Sequence, residues 1–394
     1  MNRLGDIQAA LAEASLDGWL FYDFRLSDPI AYRILALSED GMATRRWFCF
    51  IPRTGSPRKL VSAVEAHRLD PVSGASIVYR SHEEMREGLA RMLQGARRIA
   101  MAYSPDCAIP YVSRVDAGTI ELVRSLGVEV VSAADLIQRF EATLTQAQLQ
   151  SHHRAAFKLR KTVDDTFAQI ARVVRERDET CEHDLQQFVL DRFADHGLTT
   201  SSPPIVATNA HSADPHYGPS EKHPTPIREG DFVLLDLWAK ETANDSIYAD
   251  FTWVAFVGEK VPEEHARIFS IVASARDAAV ALVHDRVSRK HPVSGRDADR
   301  AAREVIEAAG FGDRFLHRTG HSIGREVHGT GANLDSLETD DHRMLIENTC
   351  FSVEPGIYLP GRFGVRSELD LTIENGRAKI SADAVQREIV AILA

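Results

Sequence analysis

The segment FSVEPGIY, Phe351 to Tyr358, places a single carboxylate, Glu354, inside an apolar run that otherwise reads as a buried strand. Pro355 and Gly356 follow at once and end that strand. A charged carboxylate left dry and unpaired is costly, so Glu354 needs a partner. The same pattern recurs at Asp236 in FVLLDLW and at Glu368 in GVRSELDLTI. Three acids on apolar strands, with histidine-rich segments between them, point to a shared cation. The chain is organised around the stretch from Phe315 to Thr372.

Outward from that stretch, the totals exclude several classes. A chain of 394 residues has room for two domains, and 44% hydrophobic with 26% charged residues is a globular composition. A net charge of -11 argues against nucleic acid as a partner, because phosphate neutralisation needs a basic face. Cys49, Cys107, Cys181 and Cys350 stand far apart with no CxxC, which is neither a disulfide framework nor a thiolate metal site and suits a reducing cytosol. The opening MNRLGDIQAALAEASLDGWLFYDF lacks the apolar core of a signal peptide, and no run approaches the roughly 18 apolar residues of a membrane span. The expectation is a cytoplasmic protein with no membrane partner. Of 16 histidines, only His67 and His82 precede residue 145, which assigns the chemistry to the C-terminal part.

The first part alternates strands and helices. Leu4, Ile7, Leu11 and Ala14 keep helical spacing, GWLFYDF reads as a strand, and DPIAYRILAL as a helix with Pro29 in its first turn. Further strands at Trp47 to Ile51, Lys59 to Val64 and Ala75 to Tyr79, then helices and strands to Ala133, make an α/β domain of about 140 residues without a glycine-rich phosphate loop. The boundary falls near Glu141 to Thr145, giving domains 1–143 and 144–394, with Thr145 capping a long helix. A helix from Cys181 to His196 ends at Gly197. The segment SSPPIVATNAHSADPHYGPSEKHPTPIREGD reads as a long functional or mobile loop. The strands FVLLDLWA and IYADFTWVAFVG, two helices, and the strands of Glu354 and Glu368 complete an α+β domain with a site on its sheet.

Taken singly, most of these residues have ordinary explanations. Asp236 and Asp250 suit strand positions facing water, and Glu368 alternates with apolar neighbours as a solvent-facing residue does. His321, in TGHSIG, is as readily structural as a ligand, although its flanking glycines let the backbone come close to something. His216 in DPHYG fits a plain loop histidine, and Arg366 a surface arginine. Only Glu354 favours function by itself. Three histidines within HRTGHSIGREVH, namely His317, His321 and His328, are less easily dismissed.

Together and in order, Asp236, Asp250, His321, Glu354 and Glu368 resemble the five-ligand signature of the pita-bread metallopeptidases, which include methionine aminopeptidase, aminopeptidase P and prolidase (Xaa-Pro dipeptidase). The resemblance covers most of residues 145 to 380, and the first domain is similar to the one preceding it in prolidase, aminopeptidase P and creatinase. It implies an α/β N-terminal domain that mediates dimerisation and closes one end of the site, followed by an α+β pita-bread catalytic domain. It also implies two divalent ions, manganese first with cobalt or zinc as alternatives, since four carboxylates and one imidazole are a hard, oxygen-rich set. By resemblance, Asp250 and Glu368 bridge the ions, Asp236 holds one, and His321 and Glu354 complete the other. A water between the ions becomes the nucleophile, with Glu354 as proton shuttle to the leaving nitrogen. His328 and His216 match the histidines that face the scissile amide and oxyanion, His317 a substrate-touching histidine, and Arg366 an arginine that pairs with site carboxylates.

The reaction this implies is hydrolysis of the Xaa-Pro bond in dipeptides by a homodimer. Aminopeptidase P activity on longer peptides is the near alternative. A metal-retaining relative that cleaves a small-molecule C-N bond, as ectoine hydrolase does, is a further one, and a pita-bread binding module is disfavoured because all five ligands stand. Three departures bear on substrate selection: the insertion KETANDS between Asp236 and Asp250, Trp253 where arginine is frequent, and Arg318 where glycine is usual.

Overall fold

The computed structural model describes residues 3–177 and 179–394. It divides into two compact units, Met1–Glu141 and Ala142–Ala394.

In the first unit, strands β1 (Gly18–Asp23), β2 (Trp47–Pro52), β3 (Arg58–Ser62), β4 (Ala75–Tyr79), β5 (Arg98–Met101) and β6 (Glu129–Ser132) form one mixed sheet in the order β4-β3-β2-β1-β5-β6. Helices α1 (Arg3–Glu13), α2 (Pro29–Leu35), α3 (His82–Met92) and α4 (Ala117–Ser125) accompany it. Pro29 takes the first helical position of α2, where its missing N–H costs little, and the Asp28 side chain accepts from the Ala31 N–H. Trp19, Leu20, Phe48 and Ile99 lie in its core.

The second unit opens with α5 (Gln146–Arg177). Thr145 and Gln148 cap its start reciprocally: the Gln148 N–H donates to Thr145 Oγ1 at 3.3 Å and the Thr145 N–H to Gln148 Oε1 at 2.9 Å. Helix α6 (Glu182–Asp195) is followed by Gly197 at φ +67°, the left-handed stop that glycine permits. Next, β7 (Ile205–Thr208) pairs with β8 (Phe232–Glu241). This corrects the expectation of an uninterrupted loop: the Pro- and His-rich stretch holds the buried strand β7, held in register by the strand Phe232–Glu241, and a second short strand, Pro226–Arg228, paired with Glu179–Cys181. An antiparallel hairpin joins β8 to β9 (Ala249–Phe256). Helices α7 (Glu263–Ser288) and α8 (Gly295–Ala308) follow, α8 starting from a Ser294–Asp297 capping box.

Further strands are β10 (Ser322–Ile323), β11 (Cys350–Val353), β12 (Gly356–Leu359), β13 (Phe363–Arg366), β14 (Leu369–Glu374) and β15 (Arg377–Ile380). They make a sheet β10-β11-β14-β15 and a ribbon β12-β13. Val353 pairs with Leu369 and Gly356 with Arg366, so the ladder opens where the segment Glu354–Pro355 passes the segment Ser367–Glu368. Sequence periodicity reads GVRSELDLTI as a single strand, whereas the structure breaks it at Ser367–Glu368. Both glutamates therefore lie in breaks between strands and not within a regular ladder.

The β8–β9 hairpin is buried on both faces. Leu235, Leu237, Phe251 and Trp253 pack with Leu159 and Val163 of α5, while Leu234 and Val254 pack with Val272 and Ala275 of α7. β14 reaches the hairpin through two bonds: the Glu368 N–H donates to Thr252 O at 3.2 Å, and the Asp250 N–H to Asp370 Oδ2 at 2.9 Å.

Candidate metal centre

Register places the first two acids on one face. Asp236 stands opposite Thr252, and Trp238 opposite Asp250, so cross-strand partners project together from the hairpin. Both aspartates are buried, as is Glu368. The solvent-facing positions that single-residue reading assigns to Asp236, Asp250 and Glu368 are therefore corrected, because α7, α8 and the second sheet cover a face that strand alternation alone leaves open.

His321 is aimed by its neighbours. Its backbone N–H donates to Ser352 Oγ at 3.0 Å, and its Nδ1 lies 3.2 Å from Ser322 O. With the proton on Nδ1, the Nε2 lone pair is left for the site. That Nε2 is 3.5 Å from Asp250 Oδ2 and 3.5 Å from Glu354 Oε1. Glu354 is fixed by its own N–H donating to Thr319 O at 2.6 Å and by Ser352 Oγ at 3.2 Å. Gly320 makes this proximity possible, since a Cβ there would lie 2.0 Å from Ser352 O.

Arg366 is buried, forms a short ion pair with Asp236, and has Nε 3.9 Å from Glu354 Oε2. The surface-arginine alternative falls. Thr252 completes the group, its Oγ1 lying 2.6 Å from Glu368 Oε2 and 3.2 Å from Asp236 Oδ1 while accepting from Arg366 Nε at 2.9 Å. Sequence reading missed Thr252, although its period-two offset from Asp250 was a usable signal.

All five acid and imidazole side chains thus meet in one buried cluster. One donor atom each from Asp250, His321 and Glu368 lie within 4.8 Å of one another. Burial, then the neighbouring carboxylates, pushes the Asp250 and Glu368 pKa values well up. Burial also raises Asp236, against the pull of Arg366. Glu354 is the exception: burial acts upward on it, but the charges of His321, His317, Arg366 and Arg318 outweigh that and hold it low.

The cluster suits divalent cations. One buried guanidinium faces three buried carboxylates and the partly exposed Glu354, and Asp250 Oδ1 is buried without a hydrogen-bond partner among the described residues. Uncompensated negative charge, an orphaned acceptor and hard oxygen donors with one imidazole are what a borderline divalent ion requires.

His317 Nε2 is 2.7 Å from the hydroxyl of Tyr358, a buried phenol that also takes Arg366 Nη1 at 3.3 Å and whose pKa burial raises to about 12. Tyr358, too, was not singled out from sequence. His328 packs edge-to-face on His321 with ring centroids 4.4 Å apart, and the like charge of His321, then burial, lowers it to about 3. His216 is exposed on its loop, with its N–H held by Asp214 Oδ1 at 3.0 Å, and reaches His328 only electrostatically. Of the departures, Trp253 turns away from the site: it packs in the α5-side core, with Arg160 stacked 3.8 Å above its ring. Arg318 is buried near the histidines, its backbone N–H donating to Glu338 Oε1 at 2.8 Å.

Carboxylates and an imidazole gathered on the inner face of a covered sheet define a protein built to hold divalent cations on hard ligands. The chain belongs to metallopeptidase family M24, whose model matches residues 152–375. It is 26% identical over 399 residues to the Mycobacterium tuberculosis protein named "Probable dipeptidase PepE", covering 99% of this chain and 96% of that one. Over 171 residues it is 34% identical to a Xaa-Pro dipeptidase of Lactobacillus delbrueckii subsp. lactis, covering 43% of this chain and 42% of the relative. Among solved structures, dipeptidase PepE of Mycobacterium ulcerans superposes with a TM-score of 0.74 at 24% identity, covering 99% of this chain and 97% of that one. The Thermococcus sibiricus prolidase gives 0.65 at 22%, covering 99% and 98%. These likenesses establish the fold expected from sequence, an N-terminal α/β domain followed by a pita-bread catalytic domain. As an M24 metallopeptidase, the chain is an enzyme that uses metal ions.

Proposed function

We propose that this enzyme hydrolyses the peptide bond before proline in dipeptides, with two divalent ions, manganese first, as its metals. The observation that carries the proposal is the convergence of Asp236, Asp250, His321, Glu354 and Glu368 in one buried cluster. A dipeptide as substrate is supported by the full-length relative's name, and proline by the names of the shorter-matching ones.

The five side chains would hold the ions, which supply Lewis acidity and bring a water's pKa toward neutrality. Glu354, kept ionised by the cations around it, accepts a proton from the attacking water and delivers it to the proline nitrogen as the C–N bond breaks. That delivery matters because the nitrogen of a tertiary amide leaves poorly unprotonated. His328, at the solvent side of His321, donates to the carbonyl oxygen as negative charge grows there, with His216 as its partner on the facing loop. His317, oriented by Tyr358, contacts substrate, and Arg366 keeps Asp236 ionised and fixed. A homodimer formed through the N-terminal unit and a cytoplasmic site of action complete the proposal, the latter supported by four unpaired cysteines.

The test is turnover of a panel of Xaa-Pro dipeptides beside Xaa-Pro peptides of three or more residues and a small cyclic amidine of the ectoine type. Dipeptide cleavage with rejection of the longer peptides is the expected result. Preference for the longer peptides would make this an aminopeptidase, and cleavage of the amidine alone would overturn the peptide reading.

A further inference from the structure

We infer that the tip of the β8–β9 hairpin, Lys240 to Ser246, positions His328 by clamping the loop from Gly324 to Gly329. Three bonds run from the hairpin to the first two residues of that loop. Lys240 Nζ donates to Arg325 O at 2.7 Å, the Tyr248 N–H donates to Gly324 O at 3.0 Å, and Arg325 Nε donates to Asp245 Oδ1 at 3.0 Å. The Lys240 ammonium also lies 5.0 Å above the ring of Tyr248, itself 4% exposed. Val327, the residue before His328, packs against the apolar cluster that contains Ile247, Tyr248 and Ile323. The loop closes on itself at the far end, where the Gly329 N–H donates to Ser322 O at 2.6 Å.

One hairpin therefore carries both Asp236 and Asp250 on its inner face and grips, at its tip, the loop that presents His328. Lys240 is four residues beyond Asp236 and Tyr248 two before Asp250. A shift of the tip would move His328 relative to the carboxylates, which are independently held by Thr252, Arg366 and Asp370. The three bonds are unequal. Asp245 has 81% of its side chain exposed, so its pair with Arg325 is solvent-screened and contributes little. Lys240 is half-buried and its bond to a carbonyl is charge-assisted, which makes it the main fastener. The sequence singles out this segment as an insertion, and the clamp gives it a task that composition does not reveal.

This inference rests on the proposed role of His328 in Xaa-Pro hydrolysis, so its test has one arm that needs no substrate. In Lys240→Met, backbone hydrogen exchange of residues 324–329 should rise by about 10-fold or more while the rest of the catalytic unit keeps its protection. On a Xaa-Pro dipeptide, kcat should fall by about 10- to 100-fold with KM and metal content unchanged. Lys240→Arg should restore most of both, and Asp245→Ala should change neither. Unchanged exchange at 324–329, or a uniform rise across Ala142–Ala394, overturns the clamp. Loosened exchange with full kcat overturns the positioning of His328. Should no Xaa-Pro substrate be turned over by the unaltered enzyme, the exchange arm alone upholds or overturns the clamp, separately from the reading of substrate.

Discussion

At the scale of single residues, Thr252 shows how a hydroxyl holds a site together. It has one proton to share between Glu368 and Asp236, and it accepts from Arg366. Thr252→Val keeps the shape but leaves two buried charged groups each short of a bond, at about 1–3 kcal/mol for each unsatisfied group. The expected outcome is a lowered thermal midpoint and metal affinity weakened about 10- to 100-fold, read by metal titration of the purified variant. Glu354→Ala should abolish turnover with the circular dichroism spectrum unchanged, whereas His328→Ala should lower kcat with full metal content retained. An active Glu354→Ala variant would remove it as proton carrier. A different histidine contributes to the dependence of stability on pH. His152 is fully buried between Tyr248 O and Ser381 Oγ, each 2.7 Å away, with Cys350 Sγ at 3.5 Å and Asp370 at 4.0 Å, and His153 and Glu374 within electrostatic reach. Burial lowers its pKa from 6.5 to about 4. The unfolded chain then binds the extra proton between those values, so stability is full above pH 6.5 and declines as pH falls toward 4. The loss is on the order of 3 kcal/mol. His152→Gln should flatten that part of the curve of denaturation midpoint against pH. Sequence alone does not distinguish His152 from His153, because adjacent helical residues share a pattern and only packing decides which is enclosed.

At the scale of elements, local chemistry was legible wherever a residue type has one conformational use. The Thr145 cap of α5, Pro29 at the start of α2 and Gly197 behind α6 all follow from backbone sterics and unsatisfied helix ends. Alternation failed where tertiary cover decides the outcome. Asp236 and Glu368 look solvent-facing until the second face of the sheet is known, and β7 is hidden among prolines because four residues carry too little periodicity. The glycines beside His321 were legible as signs of close approach, and for Gly320 the neighbour is the carbonyl of Ser352. Since that neighbour is backbone, Gly320→Ala must displace β11 or the His321 segment. A destabilisation of about 1–3 kcal/mol or more is expected, as in overpacked cores. Metal affinity should fall with it, because His321 is the next residue and Glu354 hangs from Thr319 O. Calorimetry and metal titration of the variant check both, and retention of wild-type affinity would show that the ligand strands are not coupled through this approach.

At the scale of the whole molecule, the catalytic unit carries a local electrostatic deficit that its apolar cores must absorb. The hairpin of Asp236 and Asp250 is clamped between two cores, so its acids cannot relax toward water when a cation leaves. Arg366 offsets part of the repulsion and is already committed to Asp236 and Thr252. Ion binding to the folded chain and not to the unfolded one stabilises by mass action, about 2.7 kcal/mol when free metal exceeds its dissociation constant 100-fold. For a unit of this size each kcal/mol moves the thermal midpoint by about 2–4 °C, so chelation should lower it by roughly 5–10 °C. Dialysis against a chelator followed by graded addition of manganese should show the midpoint climbing with the logarithm of free metal. Zinc and cobalt should do the same with different midpoints of saturation, since the donor set selects by hardness and geometry more than by identity. Because linkage concerns binding and not turnover, this climb should persist in Lys240→Met, whose ligands are untouched, and should shrink in Thr252→Val. A midpoint independent of metal in the unaltered protein would mean that the buried acids are neutralised by protons or by rearrangement, and the cluster would then be a polar core and no metal centre.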